Sequence, residues 1–351
     1  MLKKIVLIGI AAILVIGFIM RKDIMSWLDT PKTINTTETK FLLKENPSFN
    51  TLLVELKAEG IIDDINDLRD FAIDNAVDTA KFAGGKYVIL AGTKYGELLN
   101  GFQLNEEGNG NNEVMVNVIF NTCRDLNDIS GNIAKCIAAD STSLITYFQD
   151  PKVLSKYGFT EEQMPALFLP KQYELPYDTD AEQFVQFMAA KFKEFWNDDR
   201  KAKLKKIGLN SQSKAATLAS IVYSEQSKAK DEWPIIAQLY LNRINRGIKL
   251  QSDPTFKFCW GHELDDVQIL RHKHSDIVCD YNTYQIQGLP PGPICIVPAS
   301  VIDAVLSPAN VDYIYMCAKP DNSRTHNFTA SGDQHNKNAA AFQKWIREQQ
   351  N

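Results

Sequence analysis

Apolar and polar positions follow three different periods along this chain, and each period predicts a different kind of element. Between Lys3-Lys4 and Arg21-Lys22 runs an uninterrupted apolar stretch, Ile5 to Met20. It is short for a bilayer-spanning helix, but flanking Lys and Arg side chains extend such a span by snorkelling. Where Gly17-Phe18-Ile19-Met20 meets Arg21 there is no small-x-small cleavage site. Residues 1–28 are therefore read as a cytoplasmic tail and an uncleaved transmembrane anchor, not a signal peptide. The short tail before the apolar run is expected to stay in the cytoplasm, leaving the bulk of the chain outside. Residues 29–40 are polar, Thr-rich and without a period, which predicts a linker.

Strand and helix periods alternate from Phe41 onward. Phe41-Leu42-Leu43 reads as a strand, Pro47-Ser48 opens a helix whose apolar stripe is Leu52, Leu53 and Leu56, and Gly60 closes it. A second helix is expected over 65–76, a strand over 85–90, and a helix over 95–102. The Asn- and Gly-rich stretch 105–113 marks a boundary. A weaker echo follows, with a strand over 114–120 and a helix carrying Ile129, Ile133, Ala134 and Ile137. The strand–helix–helix–strand order resembles LysM-like carbohydrate-binding units; a generic α+β spacer domain fits the same order. Phe184, Phe187, Met188, Phe192, Phe195 and Trp196 form an aromatic stripe at helical spacing, which is read as core.

The expected fold class is α+β: an N-terminal transmembrane helix, small LysM-like α/β modules, and a mainly helical C-terminal catalytic domain with short strands. The expected divisions are 1–28, 29–40, a LysM-like module at 41–112, a second α/β module with a helical connector at 113–205, and a catalytic domain at 206–351.

Composition narrows the function. At 351 residues the chain exceeds the size at which single cores stop growing. With 44% hydrophobic and 23% charged residues it belongs with globular proteins. A net charge of −5 argues against a nucleic-acid binder. The run Lys201, Lys203, Lys205, Lys206 reads as a solvated helix face. None of the six cysteines forms a CxxC pair, and His272 and His274 read as a solvated turn, so no metal or organic cofactor is expected. Outside the cytoplasm disulfides can form, with Cys123–Cys136 as a candidate pair.

Chemistry concentrates after residue 214. Over 214–228 a helix is expected, with Ala215, Leu218, Ala219 and Val222 on one side and Glu225 at the edge of the stripe. A carboxyl there is partly desolvated, which raises its pKa and suits it to hold a proton as a general acid. A structural ion pair with Arg243 or Arg246 is the plainer alternative. The next helix is expected to be capped by Asp231, to take Pro234 in its first turn, and to end at Gly247. Pro254 biases Asp253 toward extended backbone. The Gly288-Leu289-Pro290-Pro291-Gly292-Pro293 segment is stiff, and amide and aromatic side chains beside such a loop suit a sugar groove.

Taken together, Leu218 to Glu225, Leu241-Asn242-Arg243, Gly247, Leu250 to Thr255, Tyr281-Asn282-Thr283-Tyr284, Gly288 to Ile294 and His326-Asn327-Phe328 resemble the endolytic murein transglycosylases (MltG, or YceG-like) in content and order. The strong part covers about 215–338. Many members carry Val-Glu-x-Glu in the first segment; here Tyr223 replaces the first glutamate and Glu225 stands at the position the family uses for catalysis. The resemblance implies lytic cleavage of MurNAc–GlcNAc bonds in nascent peptidoglycan with 1,6-anhydro-MurNAc ends. Glu225 would be general acid and then base, and Gln251, Asp253, Asn282, Tyr284 and His326 would be substrate-binding residues. It also implies a single-pass protein of the bacterial inner membrane with a periplasmic catalytic domain. Its partners would be glycan strands, the membrane and cell-wall synthases. Two rivals stay open: a lysozyme-like hydrolase, which needs a second carboxylate such as Asp253, and a non-catalytic wall-binding scaffold.

Overall fold

Burial follows the periods of the sequence closely. In the computed structural model the described residues are 31–43, 46–106, 108–121, 123–264 and 272–349. The Ile5–Met20 run lies outside them. Among the described residues no helix is long and apolar enough to cross a membrane. The architecture of the described residues is α+β, with helices and three two-stranded sheets.

The chain folds as two units. One runs to Val116 and takes back Leu175–Asp178; the other comprises Asn117–Glu174 and everything from Thr179. Residues 117–174, expected in a module separate from 206–351, share the second unit with them.

In the first unit β1 (Thr39–Leu43) pairs antiparallel with β2 (Gly85–Ile89), Leu43 opposite Gly85. Phe41 and Leu43 point into the core while Leu42 is exposed; Tyr87 and Ile89 are buried while Val88 is not. This is the alternation a half-buried strand requires. Between the strands lie α1 (Phe49–Ala58), capped by the Ser48 hydroxyl, and α2 (Ile65–Asp74), capped by the Asp64 carboxylate. After them comes α3 (Tyr95–Phe102). Leu52, Leu53, Leu56, Leu68, Leu99 and Phe102 close one core. Gly85 is obligatory, with φ +136° and a hypothetical Cβ only 2.6 Å from the Glu113 side chain. Residues 31–40 depart from the free linker expected of them. Thr33 is buried and donates its N–H to Thr93 O, Ile34 donates to Ile61 O, and Tyr95 N–H reaches Pro31 O.

β3 (Met115–Ile119) pairs with β4 (Gln172–Pro176). The second unit opens with α4 (Leu126–Ile133), α5 (Ser141–Gln149) and α6 (Pro151–Tyr157). Its α7 (Ala181–Phe195) carries the aromatic stripe into a cluster of Phe120, Phe148, Phe168 and Phe184. The basic run lies on α8 (Asp198–Lys206), where Lys203 pairs with Asp199 at 2.8 Å on a solvated face. Arg200 forks onto both carboxylate oxygens of Asp303, on α12 (Ala299–Leu306), at 2.7 and 3.0 Å.

At the centre stands α9 (Gln212–Glu225), buried on nearly every side. Small Ala215, Ala216, Ala219 and Ser220 let neighbours approach it, and its hydroxyls are satisfied internally, Thr217 to Ser213 O and Ser220 to Thr217 O. Beside it pack α10 (Trp233–Asn245) and α12. The chain continues through α11 (Asp253–Cys259), the β5 (Tyr315–Ala318)–β6 (His326–Thr329) hairpin and α13 (Gly332–Gln349). In the proline-rich loop, Gly292 presses on the Glu162 carbonyl so closely that a Cβ would lie 1.7 Å from its oxygen, a contact only glycine permits.

Candidate active site

Helix α9 starts where the Ser211 hydroxyl accepts the Lys214 N–H and stops where Gln226 leaves helical geometry (φ −144°, ψ 94°). Glu225 is thus the last helical residue. Its Oε1 accepts two hydrogen bonds, from Tyr240 Oη on α10 at 2.7 Å and from Ser252 Oγ at 2.5 Å. The side chain retains partial solvent access within a protein-lined recess. Burial pushes its pKa above the ordinary carboxylate range, against the two hydroxyls that favour the charged form; Asp253 adds to the rise and His326 opposes it. Burial, then the facing carboxylate, drives the Tyr240 phenol well above its usual range, so it stays a donor.

Neither arginine considered as a structural partner touches Glu225. Arg243 donates to the carbonyls of Ile314 at 2.7 Å, Leu250 at 2.7 Å and Lys249 at 3.0 Å, and Arg246 reaches Asp312 O. A guanidinium can satisfy a fork of loop carbonyls as well as a carboxylate, and here it ties the segment after α10 to the strand β5 approach.

Ser252 is held by a buried hydroxyl lattice. Its N–H donates to Thr283 Oγ1 at 2.9 Å, its carbonyl accepts the Thr255 hydroxyl at 2.6 Å, and Thr255 and Thr283 hydroxyls meet at 2.8 Å. Asp253 is not extended but opens α11; the extended residue is Ser252, the cap. Proline costs nothing in a first helical turn, where no N–H partner is needed. Similarly, Glu232 rather than Asp231 occupies the cap position of α10, without a capping hydrogen bond, because its carboxylate is engaged elsewhere. Glu232 is buried, accepting the His326 N–H and His326 Nδ1 at 2.8 Å each and the Gln226 amide at 3.0 Å. An ionised carboxylate only accepts, so Nδ1 carries the proton.

The residues expected to bind substrate separate into two groups. Asp253 lies exposed at the start of α11, with Oδ1 accepting the Tyr284 hydroxyl at 2.6 Å. His326 stands at the start of β6. Gln251 is exposed in left-handed backbone (φ 51°), its Oε1 3.4 Å from Arg243 Nη1. Asn282, in contrast, is fully buried: its amide donates to Ser275 O and Ile277 O at 2.8 Å and accepts Tyr284 N–H. It shapes the loop that presents Tyr284. Sequence reasoning missed Tyr240, Gln226 and Glu232 and did not single out Ser252. A buried tyrosine on α10 must find a hydroxyl partner, and that requirement was the available signal.

The same neighbourhood carries a disulfide, Cys259–Cys279, with Cα atoms 6.2 Å apart. Cys123 and Cys136, the expected pair, are free thiols, with the Asn132 side chain donating to Cys123 Sγ and Cys136 Sγ–H directed at Asn132 O. Spacing along the chain did not reveal that α11 and the loop before Tyr281 converge. The His272–Ser275 segment is one short turn, and no cluster of potential metal ligands occurs among the described residues.

A single carboxyl at the end of a buried helix, its pKa raised by burial and held by two hydroxyls, is placed to keep and pass on a proton. The chain belongs to the YceG-like family, whose model matches residues 41–341. It is 32% identical over 169 residues to the endolytic murein transglycosylase of Bacillus subtilis (strain 168), covering 48% of this chain and 44% of that protein. To the endolytic murein transglycosylase of Streptococcus pneumoniae (strain D39) it is 27% identical over 126 residues, covering 35% and 22%. The matched stretches thus span less than half the length of these relatives. A solved yceG-like protein from Listeria monocytogenes superposes with a TM-score of 0.53 at 22% identity, covering 86% of this chain and 99% of that one, a likeness of fold.

Proposed function

We propose that this protein is an endolytic lytic transglycosylase that cleaves the MurNAc–GlcNAc bonds of peptidoglycan glycan strands. The observation that carries the reading is Glu225, raised in pKa by burial and anchored by Tyr240 and Ser252; membership in the YceG-like family and the names of the curated relatives support it. Protonated Glu225 gives its proton to the glycosidic oxygen as the bond to muramyl C1 breaks through an oxocarbenium-like state. The resulting carboxylate takes the proton from the muramyl C6 hydroxyl, whose oxygen closes on C1 to form the 1,6-anhydro ring. Proton and electron pair return to their starting balance on Glu225, and no water enters. One carboxyl suffices because the nucleophile belongs to the substrate. Tyr240 and Ser252 steady the carboxylate between the two steps.

Asp253, Tyr284, His326 and Gln251 serve the sugar chain around Glu225, with Glu232 orienting His326. The βααβ order of β1, α1, α2 and β2 supports a LysM-like wall-binding module near 41–112. The Ile5–Met20 run and its basic flanks support a single-pass inner-membrane anchor with a periplasmic catalytic domain, where cell-wall synthases are the natural partners. In the test, Glu225→Gln lowers cleavage of purified peptidoglycan by about 10²–10⁴-fold, the usual worth of general acid–base catalysis, with the fold retained by circular dichroism. Unchanged turnover in that variant would overturn the assignment.

A further inference from the structure

Beside the end of α9 the second unit holds a groove of about 550 Å3, within the usual range of ligand sites, roughly 300–1,000 Å3. Tyr223 and Ser224 form one wall, immediately before Glu225. Asp253 and Lys257 from α11, with Arg124 and Cys295, complete it. Charge in the groove is lopsided. Arg124 is fixed by the carbonyls of Phe258 and Gly261, both at 2.5 Å, with its guanidinium over the Phe258 ring. Lys257 is half-buried and forms no ion pair with a described residue. Among the described residues of the lining the one acid is Asp253, which has an oxygen already tied to Tyr284. A lysine whose stem is packed on the wall keeps its charged head toward solvent, so the ammonium faces whatever enters the groove. Here the open side of the groove is the place for an anionic partner.

We infer that this groove receives the carboxylate-bearing stem peptide of the muramyl residue at the scissile bond, with Lys257 as the principal anchor of a peptide carboxylate and Arg124 reinforcing the field. The inference rests on the proposed cleavage of peptidoglycan. It adds that the enzyme reads the peptide as well as the glycan. Lys257 lies one turn along α11 from Asp253, itself next to the Ser252 that grips Glu225, so a peptide held there fixes the muramyl ring beside the acid. In a strand that carries stem peptides the lactyl carboxyl is taken up in an amide, so the peptide carboxylates are the anions within reach of Lys257.

Binding tests the groove apart from catalysis. The full chain carrying Glu225→Gln is titrated calorimetrically with a disaccharide–peptide muropeptide having free peptide carboxylates, and with the same muropeptide after its carboxylates are amidated. Amidation is expected to weaken binding about tenfold, the scale of one charge-assisted hydrogen bond. Adding Lys257→Met is expected to weaken binding of the free-acid form by a similar factor and to abolish the difference between the two ligands. Lys257→Arg should restore it, which separates lost charge from lost folding. Equal affinity of both ligands for the Lys257 protein, or an amidation effect that survives Lys257→Met, overturns the inference. Discrimination by Lys257 without any strand cleavage by the wild-type chain would instead leave the peptide groove standing and remove the cleavage reading.

Discussion

At Glu225 the competition is between burial, which holds the proton on, and two hydroxyls, which ease it off. Deleting a hydroxyl should therefore raise the pKa further. Since the acid step needs the protonated form, Tyr240→Phe and Ser252→Ala should each move the alkaline limb of the activity profile upward by about one pH unit, the worth of a hydrogen bond to a charged group. A limb that stays in place in both variants would mean that neither hydroxyl acts on the carboxyl. The same imbalance has a cost for folding. Because the folded-state pKa is raised, this carboxyl favours the native state fully below the unfolded value near 4.5, and that support is lost as pH rises through the folded value. Glu225→Gln removes the ionisation, so its melting temperature should exceed that of the wild type at pH 8 and converge with it near pH 4. The position of Glu225 at the edge of a helical stripe was legible in the sequence, where an ion pair was an equal reading until the family resemblance singled it out as the acid. Its two hydroxyl partners were not, because one sits a full helix away and the other beyond it, and their meeting depends on packing.

Elements with a clear period were legible almost to the residue: α3 lies at Tyr95–Phe102 as expected, and α1, α2 and β2 differ at their ends by a residue or two. What local rules misjudged lies around the site. Asp253 follows the helix that Ser252 caps rather than the preference of a residue before proline, and α10 is entered through Glu232, whose carboxylate braces Gln226 and His326 instead of a helix end. That brace links the residue after Glu225 to strand β6. Glu232→Gln keeps the shape but replaces an acceptor pair with a donor and an acceptor, so the His326 tautomer is no longer fixed. The expected result is a fall in kcat of about tenfold or more, the scale seen when a buried hydrogen-bonded charge loses a partner, with KM for strands less affected and the change dependent on pH. A variant that loses melting temperature alone, with its pH profile intact, would mark Glu232 as a structural brace only.

Over the whole chain, the division into two units was only partly visible, because a boundary is set by packing between distant segments and Leu175–Asp178 returns to the first unit long after the chain has left it. That return places Asp178 against Glu113, whose carboxyl is pushed up to about 7 by burial and by the neighbouring charge, opposed by the Gly110 N–H. The support it gives is complete below about pH 4.5 and fades as pH climbs through about 7. Amide protection in β2, corrected for intrinsic exchange, should fall between pH 6 and 8 in the wild type and stay level in Glu113→Gln, whose amide can still donate to Asp178. A parallel fall in both proteins would place the pH dependence elsewhere.

The central claim is that one carboxyl, Glu225, cuts the strand with the substrate's own hydroxyl as nucleophile. Digesting purified peptidoglycan in ¹⁸O-water and weighing the fragments tests this most directly. Muramyl ends are expected to be about one water lighter than hydrolysed ends and free of ¹⁸O, in wild type and Asp253→Asn alike. Labelled reducing ends from the wild type, and their loss in Asp253→Asn, would contradict it and make Asp253 the base of a hydrolase.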